Sequence, residues 1–142
     1  MDSKDLDSSL NSKERAVFVY TTYPSIVEAE RAGRALLERR LCACVNILLG
    51  MVSLYWWQGA IERGDEVVMI VKTRATLAEA VCAAVRQMHS YTTPAVLTIP
   101  IENVDSDYHA WLVAETAGAT ESLSAPAIAG EGDRPKGGGG GV

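Results

Sequence analysis

The stretch QMHSYTTP, Gln87 to Pro94, holds His89, one of the two histidines in the chain. An imidazole can ligate a metal or carry a proton near neutrality. Two readings of His89 stand. It is a metal ligand, or it ends a helix, where a protonated imidazole gains about 0.3–1 kcal/mol from the macrodipole. Cys42 and Cys44 form a C-x-C pair. Alternate strand residues share a face, so the two thiols would present soft donors suited to Cu(I). The same pattern describes two small buried residues. Cys82 sits between Val81 and Ala83 on a predicted helix, where burial or half-burial is the default. Glu66 and Lys72 are evenly spaced on a predicted strand and share a face. They either line a cleft between subunits with Tyr91 and Trp57, or form an ion pair at the strand ends. His109 falls in the first turn of the last predicted helix, where a cation gains nothing from the dipole, so it is expected to be exposed. No Ser/His/Asp constellation, C-x-x-C or phosphate-binding glycine loop stands out, so the residues make no case for an enzyme.

These residues need elements to position them, and the chain is long enough to build them. Its 142 residues suit one domain, and an apolar fraction of 48% supports a real core. The net charge is −5. Residues 16–117 alone carry 8 Lys and Arg against 11 Asp and Glu, a net charge of −3. That balance speaks against a nucleic-acid partner, which usually demands a basic face. No apolar run is long enough to span a membrane. The opening MDSKDLDSSLNSKER has no apolar signal core. Three cysteines without framework spacing point to reduced thiols and a cytoplasmic setting. Residues 1–15 read as a flexible arm. Residues 118–142, ending in GEGDRPKGGGGGV, read as a disordered Gly-rich tail. Residues 16–117 form the predicted domain.

Within it, AVFVYTT reads as a strand. Ser25-Ile26-Val27-Glu28 matches a capping box, followed by Ile26, Ala29, Gly33, Leu36 and Leu37 at helical spacing. Gly33 lowers intrinsic helix stability by about 1 kcal/mol, which points to close approach against a sheet. CACVNI and MVSLYWW read as one long strand broken near Leu49-Gly50. Gln58-Gly59 makes a hairpin turn, and EVVMIVKT is a central strand. Thr76-Leu77-Ala78-Glu79 is a second capping box, leading a stripe of Leu77, Val81, Ala84, Val85 and Met88. AVLTIPI is another strand. Asp105 caps a last helix that turns Tyr108, Trp111 and Leu112 inward.

The halves match under a shift of 51 positions. Thr22 falls on Thr73, Ser25 on Thr76, Glu28 on Glu79 and Val45 on Val96. A repeated β-α-β unit is the pattern of an α+β, ferredoxin-like β-α-β-β-α-β sandwich, here with an extra C-terminal helix. Both repeat helices then cover one face of the sheet. The other face, with Tyr55, Trp56 and Trp57 on one strand, is either core filling within the monomer or a subunit interface.

The segments RRLCACVNI, SLYWWQG, EVVMIVKT, HSYTTPAVLTIPI and DSDYHAWL occur in the order and spacing of the CutA divalent-cation tolerance proteins, which the sequence resembles over residues 16–117. The resemblance implies a ferredoxin-like subunit in a PII-like homotrimer. It also implies a link to copper or another divalent cation. The family's W-E-G is Trp57-Gln58-Gly59 here, and its T-P-E is Thr93-Pro94-Ala95. At the cysteine and paired histidines of a proposed family copper site stand Thr21, Met88 and His89. The resemblance thus points to His89 as metal ligand, with Met88 as a soft second donor for Cu(I). The rival expectation is a PII-like module whose inter-subunit clefts hold a small molecule or a partner protein.

Overall fold

The structure, a computed structural model, describes residues 14–119. Its elements are β1 (Ala16–Tyr23), α1 (Ile26–Glu38), β2 (Cys44–Trp57) and β3 (Ala60–Arg74). A 3-10 turn (Ala75–Leu77) leads into α2 (Ala78–Met88), followed by β4 (Val96–Pro100) and α3 (Ser106–Glu115). The sheet order is β2-β3-β1-β4, with every neighbouring pair antiparallel. This is the ferredoxin-like arrangement expected of two β-α-β units, so the α+β reading holds.

The pleat of β1 sorts the two faces. Val19 and Tyr23 join Val67, Met69 and Val71 of β3 in the hydrophobic core. α1 contributes Ala29, Ala32 and Leu36, and α2 contributes Val81, Ala84, Val85 and Met88. The stripe predicted for α2 is therefore buried throughout, including Leu77 at its start. The stripe of α1 differs from expectation. Ile26 and Leu37 stay exposed, and Ala32 takes a buried place between Ala29 and Leu36. Small residues let α1 lie close to the sheet. A Cβ on Gly33 would stand 3.0 Å from Val45 Cγ2 and 3.4 Å from Met69 Sδ.

Caps divide the halves. The Ser25 hydroxyl accepts from Glu28 N–H at 3.2 Å, as the capping box requires. The second helix starts differently. Leu77, at the end of the 3-10 turn, occupies the N-cap of α2, and it makes no side-chain cap bond. Asp105 caps α3 through Tyr108 N–H at 3.0 Å. Of the three side chains expected to turn inward there, only Leu112 is buried; Tyr108 and Trp111 remain at the surface.

β2 and β3 run on as a hairpin past the helices. Their register slips between Leu48 and Met51, with Gly50 at φ 80°, so the strand break falls where the sequence placed it. Gln58 at φ 51° and Gly59 at φ 85° close a two-residue turn between the paired Trp57 and Ala60. Both central residues have positive φ, which matches the right-handed strand twist. Leu54, Trp56 and Ile61 on this hairpin are 71%, 67% and 64% exposed. Core filling within one chain is therefore not what these residues do.

Arg15 C=O accepts from Ala75 N–H at 2.8 Å, and Ala119 packs against the core. The rest of the predicted arm and tail lies outside the described residues. Among those described, no helix is long and apolar enough to cross a membrane.

Candidate functional site

Past Met88 the chain leaves the helix at His89, whose backbone is extended at φ −89° and ψ 142°. Pro94 follows five residues on, and a helix rarely continues toward a proline. The connection folds back over the end of β1. There the His89 side chain is fully buried. Its ring stacks on Tyr23 at 4.2 Å and 9°, and tilts against Tyr91 at 4.8 Å and 42°.

Both ring nitrogens are engaged. Nε2 lies 2.7 Å from Thr22 C=O. A carbonyl only accepts, so Nε2 carries the proton. Nδ1 accepts from Tyr91 N–H at 3.1 Å. His89 is thus the neutral Nε2–H tautomer. Burial pushes its pKa down, outweighing the upward pull of the Thr22 carbonyl, Glu28 and Glu66. Glu28 Oε2 is 3.9 Å from Nδ1. No ion pair forms there, because the Nδ1 lone pair already takes Tyr91 N–H. His89 does end the helix, but uncharged, so the macrodipole argument does not apply.

Glu28 has a second task. Its Oε2 accepts from Ser90 N–H at 2.9 Å and its Oε1 from the Ser90 hydroxyl at 2.8 Å. The carboxylate holds the connection after α2 instead of closing the capping box. Tyr23, beneath the imidazole, has a buried hydroxyl with no partner among the described residues. Burial and the charge of Glu28 raise its pKa above the ordinary tyrosine value.

Glu66 lies on the sheet face opposite the helices and is only 3% exposed. Three hydroxyls donate to it: Tyr91 to Oε2 at 2.7 Å, Thr22 to Oε2 at 3.3 Å, and Ser53 to Oε1 at 2.8 Å. β1, β2, β3 and the connection after α2 each supply one member. A buried carboxylate is costly unless hydrogen-bonded, and these bonds to a charged acceptor are of the stronger kind. Nearby, the Tyr20 hydroxyl reaches Met51 Sδ at 3.6 Å.

Of the four residues assigned to a cleft, Glu66 and Tyr91 meet. Lys72 and Trp57 of the same subunit do not join them. Lys72 is six residues from Glu66 along β3, about 20 Å at strand rise, so the two do not pair within one subunit. Its ammonium instead sits 5.7 Å from the Phe18 ring and 5.8 Å from the Tyr108 ring. Trp57 is at the hairpin turn, opposite Ala60, again about 20 Å from Met51 and its partner Glu66.

The C-x-C pair is divided as well. β2 begins at Cys44, so strand alternation does not extend back to Cys42. Cys42 is buried in the core, and burial with the neighbouring Cys44 pushes its thiol up to about 12. Cys44 is half-buried, and the Asn46 amide lies 3.8 Å from its sulfur. Cys82 is half-buried, 3.5 Å from the Thr98 hydroxyl. His109 is not the exposed residue expected: it is half-buried, with Nε2 2.6 Å from Glu14 C=O.

Thr22, Ser53, Glu28 and Ser90 escaped sequence reasoning. One signal was available for Thr22 and Tyr23. Strand alternation places them on opposite faces at the end of β1, beside whatever follows α2. Nothing local marks Ser53 or Ser90.

Residues 17–115 match the family model of the CutA1 divalent ion tolerance protein. The chain belongs to this family. The divalent-cation tolerance protein CutA of Archaeoglobus fulgidus is 47% identical over 95 residues, covering 67% of this chain and 92% of the relative. The corresponding protein of Pyrococcus horikoshii is 41% identical over 100 residues, covering 70% and 97%. A solved structure of the A. fulgidus protein, described as periplasmic, superposes with a TM-score of 0.69 at 44% identity, over 71% of this chain and 98% of that one.

CutA1 membership sets a test for the residues as donors to a divalent cation. Among the described residues, no group of three or more His, Cys, Asp and Glu comes together. His89 has no free lone pair, and Met88 is a core residue. The pair expected to hold copper does not fit a cation in this arrangement.

Proposed function

We propose that this CutA1 family member works as a cytosolic homotrimer that binds divalent cations, copper among them, and so supports tolerance to them. The exposure of Leu54, Trp56 and Ile61 on the projecting hairpin carries the assembly part of the reading. Side chains of this kind are favoured at subunit interfaces and are a liability in a free monomer. Leu97 and Ile99 on the edge strand β4 add to the uncovered apolar surface. Free thiols at all three cysteines fit a reducing compartment.

A second reading is favoured by the ring of hydroxyls around Glu66. In it, a PII-like trimer holds a small molecule or a partner protein beside Tyr91 and Glu66, and cation binding is incidental.

Sedimentation of the full chain, followed by Cu(II) and Zn(II) calorimetry, separates these readings. The expected result is a trimer at micromolar concentration with stoichiometric cation binding. A folded monomer would sink the assembly. A trimer with weak, nonstoichiometric binding would move the function to the second reading.

A further inference from the structure

The fold places His89 at the end of α2, in contact with β1 through Thr22 and with the following connection through Tyr91. We propose that His89 is a positioning residue, held as the Nε2–H tautomer, which fixes Tyr91 against Glu66 and does not ligate a cation. The contacts form a chain. Nε2–H anchors the ring to Thr22 C=O, at 2.7 Å. Nδ1 receives Tyr91 N–H at 3.1 Å, which sets the Tyr91 backbone. The Tyr91 hydroxyl then reaches Glu66 at 2.7 Å. The Thr22 whose carbonyl anchors the ring also donates its hydroxyl to the same Glu66 oxygen, at 3.3 Å. The two ends of the chain therefore close on one carboxylate.

The geometry leaves a cation no entry at this ring. A metal at Nε2 would replace the proton that Thr22 C=O accepts. A metal at Nδ1 would displace Tyr91 N–H inside a buried site, where a lost hydrogen bond is costly. Met88, the other expected donor, is a core side chain. Glu28, the nearest carboxylate, is already bound to Ser90 through both oxygens. The inference does not depend on which cation the trimer handles.

The test uses the nitrogen-15-labelled full chain at neutral pH. There are two histidines, so a His109→Gln variant assigns the ring signals. His89 should show a protonated Nε2 and a bare Nδ1, both unmoved by stoichiometric Zn(II). Two variants read the positioning. His89→Asn keeps an acceptor where Nδ1 sits but cannot reach Thr22, whereas His89→Ala loses both. Exchange of the Tyr91 amide should rise about tenfold in the alanine variant, the effect of one lost hydrogen bond, and stay within about twofold of wild type in the asparagine variant. Ring signals that move with Zn(II), or a proton found on Nδ1, would overturn the proposal. So would an asparagine variant whose Tyr91 amide exchanges as fast as the alanine variant's. If the alanine variant does not fold, the wild-type ring signals and the asparagine variant still decide.

Discussion

The Glu66–Tyr91–His89 region and the hairpin tip lie on the same two strands, yet they solve opposite problems. Around Glu66 the buried groups are polar, and hydroxyls from three other segments of the same chain donate to the carboxylate. At the tip the groups are apolar, and one chain offers no cover for Leu54, Trp56 or Ile61. In the first region Glu66 finds partners within a single subunit. In the proposed trimer the second is covered by a neighbouring subunit. A substitution near Glu66 should therefore register as stability of the subunit, and one at the tip as loss of assembly.

The largest effect is expected at the tip. Trp56→Glu places a charge where burial of an apolar side chain contributes roughly 1.5–3 kcal/mol, and symmetry repeats the loss in every subunit. Sedimentation should show dissociation at micromolar concentration, with the circular dichroism of the subunit largely kept. An assembly that survives the charge would remove the tip from the interface.

Next comes Tyr91→Phe, which deletes one of the hydroxyls on Glu66. Hydrogen bonds to charged groups contribute about 1.5–3 kcal/mol. The unfolding midpoint should fall accordingly in denaturant titration, while the oligomer forms as before at low denaturant. A loss of assembly with unchanged subunit stability would reverse the comparison.

The two regions also differed in how far the sequence revealed them. The tip was legible because its rules are local. Gln58-Gly59 must turn with positive φ, Gly50 marks the strand break, and a Tyr-Trp-Trp run cannot hide on both faces of one strand. The polar region was half legible. Glu66, a charge at the head of the apolar run Val67 to Val71, announced that it needed partners. The partners come from Ser53, Tyr91 and Thr22, at 13, 25 and 44 residues' distance, and no local pattern encodes them. Within one subunit, six residues of strand keep Glu66 from Lys72. Glu28 shows another limit. A glutamate at that helix position closes the capping box or reaches outward equally well, and the tertiary contact with Ser90 decided it. His89 shows the same limit, since its neutrality follows from tertiary burial and its tautomer from Thr22, 67 residues away.

Gly33→Ala probes the layer beneath both regions. Alanine raises helix propensity by about 1 kcal/mol. The new Cβ would press Val45 Cγ2 at 3.0 Å, on a strand that cannot retreat without disturbing its pairing with β3. Overpacking of this kind costs about 1–3 kcal/mol. A net destabilisation of about 1 kcal/mol is expected in thermal unfolding. A stabilised variant would show that β2 yields at Val45, and that the hairpin is less tightly coupled to the body than the register implies.

The smallest effect near neutrality is the pH response of the body. The His89 pKa is lowered in the folded chain, with burial as the leading cause. The unfolded chain therefore binds the proton first as pH falls. Above the ordinary histidine value of about 6.5 both states are neutral, and the contribution of His89 is fully present. Below it the unfolded state gains protons that the folded state refuses, so stability drops as pH falls toward the depressed folded value. Charging Nδ1 inside the fold would break the bond from Tyr91 N–H and turn the ring toward Glu28, 3.9 Å away. Denaturant titrations from neutral pH downward should show this slope in the wild type and a shallower one in His89→Asn. Trp56→Glu should keep the wild-type slope when read on the dissociated subunit. Equal slopes in wild type and His89→Asn would mean that the pH response arises from carboxylates elsewhere and that His89 is not held neutral by the fold.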